Sequence, residues 1–196
     1  MTPDPGSAGQ PASSGEPAAI GEPAAIEPSA PVRAGPPAAR PHWAVFIGLA
    51  ASVAIVDQVV KAWIVANFEV SVAVNVIGDW ARIVLTHNNG ALFGLFRDQA
   101  IVFAAFSLLV IGLIVAFERR AGSVLFISIA LGLLLGGAVG NLVDRLRFGY
   151  VVDFVDLGIG SWRFYAFNVA DAAISLSILL LLILAIRPQA VGAARD

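Results

Sequence analysis

From residue 43 onward the chain alternates between long apolar runs and shorter connections that carry its polar residues. Four runs stand out: about Trp43 to Ala66, about Ala100 to Phe117, about Ser123 to Leu142, and about Phe167 to Ile186. A helix rises about 1.5 Å per residue and the hydrocarbon core of a bilayer is about 30 Å thick, so roughly 20 residues suffice to cross it. Only helices satisfy their own backbone donors and acceptors within a single span in lipid, so each run is read as a transmembrane helix. The link between the second and third runs is very short, whereas the segments around 69–98 and 145–166 are longer. In the first of these, Val70, Val72, Val74 and Val76 alternate with Ser71, Ala73, Asn75 and Ile77, ahead of Trp80 and Ile83-Val84-Leu85. Alternation of period two predicts short strands or an interfacial platform, and Trp80, Phe93 and Phe96 suit a membrane surface. The expected fold is an all-α membrane protein: four transmembrane helices with a small extracytoplasmic β-rich or interfacial segment between helices 1 and 2.

Composition supports this reading. Of 196 residues 58% are apolar and only 13% are charged, against roughly 25% charged in soluble domains. Cysteine is absent, which excludes disulfides, thiolate nucleophiles and Cys-ligated metals; a net charge of -2 argues against nucleic acid as a partner. Residues 1–40 break the pattern, being rich in Pro, Ala, Gly, Ser and Glu, with Gly15-Glu16-Pro17-Ala18-Ala19-Ile20 nearly repeated at Gly21 to Ile26. Dense proline denies the backbone its donors and too few large apolar groups offset ordering entropy, so a disordered tail with no signal-peptide pattern is expected. The membrane domain then covers 41–187, with a short tail at 188–196. Gly132, Gly136 and Gly140, four apart in the third run, mark a face for close helix packing.

Arg33 and Arg40, Arg119 and Arg120, and Arg187 and Arg195 fall on one side of a four-span topology. The positive-inside tendency makes that side, with both termini, cytoplasmic. The margin is narrow, because Arg82, Arg97, Arg145, Arg147 and Arg163 lie on the other side. This orientation therefore requires the outer arginines to have internal work.

Helix rise and alternating direction also fix depth. Asp57 lies about 21 Å from the cytoplasmic end of the first span, and Lys61 lies about 27 Å from it. Asp171 sits about 6 Å inside the outer end of the fourth span, while Asp144 and Arg145 lie just past the outer end of the third. Asn141, Asn168 and Asp153 fall in the same layer, so a polar cluster gathers at the outer boundary. The inner halves carry only Ser52, Ser128, Ser175 and Ser177. Asp57 and Lys61 make a favourable i, i+4 pair, and Asp144 beside Arg145 suggests a helix-end ion pair. Asp57, Asp144, Asp153 and Asp171 compete for Lys61 and Arg145, leaving carboxylate in excess. Two carboxyl groups held together out of water share a proton, one serving as base and the other as acid. The two histidines, His42 and His87, lie far apart in sequence, and neither a metal site nor a Ser-His triad is expected from them. A proton-coupled transporter would also place carboxylates in a membrane, but would continue polar groups toward the cytoplasm. A scaffold without chemistry would leave the carboxylate excess unexplained.

Five blocks now carry a resemblance: Asp57-Gln58-Val59-Val60-Lys61; Asn88-Asn89-Gly90-Ala91-Leu92-Phe93-Gly94; Gly136-Gly137-Ala138-Val139-Gly140-Asn141-Leu142-Val143-Asp144-Arg145; Tyr150-Val151-Val152-Asp153-Phe154; and Phe167-Asn168-Val169-Ala170-Asp171. In this order they resemble the motifs of the bacterial lipoprotein signal peptidases (signal peptidase II), with Leu92 where a smaller residue is usual and the N-terminal tail as an extension. The resemblance implies an aspartic endopeptidase of the bacterial inner membrane, working at the outer leaflet. It would remove signal peptides from diacylglyceryl-modified prolipoproteins, cutting just before the lipidated cysteine, and would need no cofactor or metal. It makes Asp153 and Asp171 the catalytic pair, supported by Asn88, Gly90, Asn141, Asp144, Arg145 and Asn168, with Asp57 and Lys61 buttressing the site. Partners implied are the prolipoprotein substrates and membrane lipids, with the chain a monomer. From residue chemistry alone, Asp144 and Asp153 both stay open as the partner of Asp171.

Overall fold

A computed structural model of the chain describes residue 2 and residues 40–89 and 100–186. The expected tails, and Gly90, Leu92, Phe93, Phe96 and Arg97, lie outside the described residues. Among the described residues four helices are long and apolar enough to cross a membrane: α1 (Trp43–Asn67), α2 (Ala100–Ala121), α3 (Leu125–Phe148) and α4 (Val169–Ile186). Helix α3 is the hub, packing against α1, α2 and α4. Its apolar window is 56% buried against 17% in each of the other three.

The glycines of α3 make this packing possible. A Cβ on Gly132 would stand 2.9 Å from the Phe46 carbonyl oxygen, and one on Gly136 2.7 Å from that of Ala50, so α1 lies against bare backbone. On the next face, a Cβ on Gly137 would meet the Ala170 carbonyl oxygen at 2.5 Å, which seats the first turn of α4. Phe46, Ile114 and Leu131 fill the space among α1, α2 and α3. The short α2–α3 link is pinned by the His42 amide, which donates to the Gly122 carbonyl at 2.9 Å.

The α1–α2 and α3–α4 connections form one antiparallel sheet of order β1-β2-β3-β4: β1 (Ala73–Ile77), β2 (Ala81–Asn88), β3 (Val151–Ile159) and β4 (Trp162–Arg163). The β structure expected between α1 and α2 is thus only half of it, with β3 and β4 coming from the α3–α4 connection. Strand β3 begins where α3 stops at Gly149, whose φ of 79° is the left-handed conformation that glycine adopts without a Cβ clash. Val152 and Phe154 pack with Ile64 and Leu85, fastening the sheet to the C-terminal end of α1. The alternating valines before β2 bury neither face: every residue of β1 is exposed.

The half of the bundle away from the sheet is less bare than its serines imply. Glu118 near the end of α2 is 0% exposed, and its Oε1 accepts from Ser128 Oγ at 2.7 Å. Ser177 donates to the Ala130 carbonyl at 2.7 Å. These contacts close helix to helix, and among the described residues they form no continuous polar route across the bundle.

Candidate active site

Asp57 and Lys61, one turn apart on α1, face α3. Lys61 Nζ lies 2.8 Å from Asp57 Oδ2 and 2.8 Å from Asp144 Oδ2, and donates to Asn141 Oδ1 at 3.1 Å. All three ammonium hydrogens are therefore committed. The two carboxylates are 0% and 1% exposed, and each makes a second kind of bond. Asp57 Oδ1 accepts from the Ala170 amide at 2.9 Å, satisfying an orphan donor in the first turn of α4. Asp144 accepts from Gln58 Nε2 at 2.8 Å and from the Val152 amide at 3.0 Å, which fixes the entry into β3. One lysine thus ties α1, α3, α4 and β3 together.

The ion pair expected between Asp144 and Arg145 is not what forms. Adjacent residues on a helix point about 100° apart, so Asp144 turns to α1 while Arg145 turns elsewhere. Arg145 donates to the Asn141 carbonyl at 3.2 Å and its guanidinium carbon lies 5.5 Å from the Phe103 ring centroid on α2. From there its charge acts on Asp171, Asp153 and Asp144.

Asp153 on β3 and Asp171 on α4 are organised by asparagines. Asn168 is the residue before α4, and its Oδ1 accepts from the Asp171 amide at 2.9 Å while Asp171 Oδ2 accepts from the Asn168 amide at 3.3 Å. This reciprocal pair is a capping box. Asn168 Nδ2 also donates to Asp153 Oδ1 at 2.6 Å and to Asn141 Oδ1 at 3.1 Å, and Asn141 Nδ2 donates to Asp171 Oδ1 at 2.8 Å. Asn88 at the end of β2 donates to Asp153 Oδ2 at 3.0 Å. Among the described residues neither carboxylate has a cation at ion-pair distance. Asp153 is 2% exposed. Burial, followed by the nearby charge of Asp171, raises its carboxyl to about 7 against the opposing hydrogen bonds from Asn88 and Asn168.

Of the residues singled out in the sequence, Asp57, Lys61, Asn88, Asn141, Asp144, Arg145, Asp153, Asn168 and Asp171 are thus linked around one end of the bundle. Gln58 belongs to the same network; no periodicity or charge count in the sequence marks it, because its role depends on the facing turn of α3. His87 lies on β2 and stacks on Tyr150 with centroids 4.1 Å apart. Among the described residues no group of three or more His, Cys, Asp or Glu side chains is arranged to hold a metal ion.

A helical hub, three helices with exposed apolar surfaces and a polar cluster where the α1–α2 and α3–α4 connections meet define a multi-pass membrane protein with a built site at one end. The family model described as signal peptidase (SPase) II matches residues 49–187. A lipoprotein signal peptidase of Moorella thermoacetica is 42% identical over 137 residues, covering 69% of this chain and 89% of that protein. One from Burkholderia vietnamiensis is 36% identical over 143 residues, covering 71% and 86%. Two solved structures described as bacterial membrane enzymes share the fold at 30% identity. The first has a TM-score of 0.70 and spans 80% of this chain and 96% of its own; the second has 0.68, 80% and 97%. The chain belongs to the signal peptidase II family, and is a multi-pass bacterial membrane peptidase.

Proposed function

We propose that this chain is an aspartic endopeptidase that removes signal peptides from diacylglyceryl-modified prolipoproteins, cutting just before the lipidated cysteine, with Asp153 and Asp171 as its catalytic pair. The observation that carries the reading is the division of the four acids. Lys61 takes Asp57 and Asp144, while Asp153 and Asp171 keep no ion-pair partner among the described residues and are bridged by Asn168. Raised to about 7, Asp153 keeps its proton at a pH where an ordinary carboxyl has lost it. One member of the pair can then be an acid while the other is a base.

In the proposed reaction a water between the two carboxyl groups gives a proton to the ionised one and attacks the scissile carbonyl. The C–N bond of the tetrahedral intermediate then breaks as a carboxyl proton passes to the leaving amine, and the pair regains its single shared proton. Asn141, Asn168 and Asn88 hold both carboxylates before substrate arrives, so orientation costs little at the moment of reaction. Arg145 places positive charge beside the pair, where it opposes accumulation of negative charge. Because the cluster lies at the ends of the spans, the acyl chains of the substrate stay in lipid while the amide reaches the polar layer.

The orientation proposed is cytoplasmic termini with the site at the outer leaflet. Four of the five outer arginines are among the described residues, and all have internal partners. Arg82 and Arg163 bind Asp156, Arg145 binds the Asn141 carbonyl, and Arg147 lies over the Phe148 ring. Incubating the purified protein with a diacylglyceryl-modified precursor and its unmodified counterpart tests the reading. Loss of the signal segment from the lipidated form only, abolished in Asp153→Asn and in Asp171→Asn, is expected. Wild-type turnover by either variant refutes the pair.

A further inference from the structure

Arg147, in the last turn of α3, is a charge that the site leaves over. Among the described residues Arg82 and Arg163 bind Asp156, and the charge of Arg145 acts on Asp171 and Asp153, but no carboxylate lies within ion-pair distance of Arg147. Its Nη1 donates one long bond, 3.5 Å, to Gln58 Oε1, and its guanidinium carbon stands 4.8 Å from the Phe148 ring centroid. The ring steadies the guanidinium but satisfies none of its N–H groups, of which an arginine has five. Arg147 is exposed, so most of these donors are open to a ligand from outside.

The guanidinium borders a cavity of about 220 Å³ between α1 and α3, against the roughly 10–15 Å³ that one water needs. One wall is a stripe of α1: Gln58, Ala62 and Val65, at spacings of four and three, share a helix face. Phe148, beside Arg147, supplies the other wall. Ala62, Val65 and Phe148 are all exposed, so the cavity opens sideways from the bundle. Its floor is the Lys61–Asp144 pair, whose charges answer each other at 2.8 Å, and Asp144 also accepts from Gln58 Nε2 and the Val152 amide. A paired floor, apolar walls and one cation without a counter-ion at the rim make a site for an anion that carries an apolar body. Asp153 and Asp171 do not line it.

Depth selects the ligand. Helix α3 has 24 residues and is thus about 36 Å long against a hydrocarbon core of about 30 Å, so its last turn stands at the level of the lipid phosphates. We propose that this cavity binds one anionic phospholipid of the bilayer, its phosphodiester on Arg147 and its glycerol and upper acyl chain along Ala62, Val65 and Phe148. A headgroup of net negative charge, as in phosphatidylglycerol, is preferred to a zwitterionic one because it answers the single unpaired cation. Once seated, the lipid closes the open side of the Lys61–Asp144 pair against water. Phosphates line both leaflets, so the assignment is the same for either orientation of the chain.

The test is native mass spectrometry of the purified full chain, released from detergent after titration with phosphatidylglycerol, with phosphatidylcholine and inorganic phosphate as parallel arms. One tightly held phosphatidylglycerol is expected, bound about tenfold more weakly by Arg147→Gln and largely restored in Arg147→Lys. Ala62→Trp, which fills the groove and leaves the cation in place, should weaken it to a similar extent. Arg120→Gln removes an equal charge at the opposite end of the bundle and should change the affinity less than about twofold. Circular dichroism checks that each variant is folded. An affinity unchanged in both Arg147→Gln and Ala62→Trp overturns the proposal. An equal loss in Arg120→Gln overturns it as diffuse attraction of charge, and so does equal retention of phosphatidylcholine, or of inorganic phosphate in place of the lipid. No arm reads cleavage, so the outcome is independent of the peptidase reading.

Discussion

Lys61→Met is the substitution whose cost follows most directly from the geometry. The ammonium is 3% exposed and touches two carboxylates that are themselves 0% and 1% exposed. Methionine has nearly the same length, so little cavity is created and the loss is electrostatic. Removing one partner of a buried ion pair costs about 3–5 kcal/mol, because the charge left behind has neither water nor counter-ion. Here two charges are left, although Asp57 keeps the Ala170 amide and Asp144 keeps Gln58 and the Val152 amide. At about 2–4 °C per kcal/mol for a chain of this size, Tm is expected to fall by roughly 6–20 °C. Asp57→Asn leaves a balanced Lys61–Asp144 pair and loses one charged hydrogen bond, so its cost is about 1.5–3 kcal/mol. Lys61→Met with Asp57→Asn and Asp144→Asn removes all three charges and should recover part of the deficit of Lys61→Met alone. Thermal unfolding followed by intrinsic fluorescence in one fixed detergent measures the series. An unchanged Tm for Lys61→Met, or a triple variant less stable than the single one, would refute the account of Lys61 as the charge that holds the cluster together.

Three further outcomes follow from the same structure. Activity should decline as pH rises through about 7, where Asp153 gives up its proton, and Asn88→Ala, which removes a bond favouring the ionised form, should move that alkaline limb upward in a kcat/KM profile. The same raised carboxyl contributes stability that is present below its ordinary 3.8 and lost as pH climbs toward about 7; Asp153→Asn should flatten this part of a Tm-against-pH curve. Gly137→Ala would drive a methyl group to 2.5 Å from the Ala170 carbonyl oxygen, next to Asp171, so cleavage should drop at least about tenfold, whereas Gly112→Ala, with open space around it, should leave cleavage rates intact.

The four helices were legible because a bilayer demands long uninterrupted apolar stretches, which composition alone reveals. Their ends were less so. The third apolar run ends at about Leu142, yet α3 continues to Phe148. Asp144 is polar but remains helical because Lys61, Gln58 and the Val152 amide satisfy it, and none of these neighbours is visible to a hydropathy count. Strand β3 leaves little signal in the sequence for the opposite reason. Val151, Val152, Asp153 and Phe154 are all buried, so no alternation separates two faces, and the pairing of Thr86 with Asp153 across the whole of α2 and α3 leaves no local trace. The excess of acids over bases could be counted from sequence. Which acids lack an ion-pair partner among the described residues depends on helix phase, since Lys61 reaches Asp144 only because both face the α1–α3 contact.

Asn168 shows why stability and chemistry are hard to separate at this site. Its side-chain oxygen caps α4, a contact worth about 1 kcal/mol in an ordinary helix. Its side-chain nitrogen meanwhile touches Asp153, Asn141 and the Val152 carbonyl. The capping box requires an acid three residues into α4, and that acid is Asp171. The start of a transmembrane helix and the placement of a proposed catalytic carboxylate are thus the same set of hydrogen bonds. A substitution here cannot loosen the helix end without also changing the angle at which Asp171 meets Asp153. Substituting Asn168 should therefore impair cleavage by more than the loss of a helix cap would suggest, and Asp at that position should be worse than Ala. An aspartate would keep the cap, but set a third carboxylate against the two whose balance the proposed reaction needs.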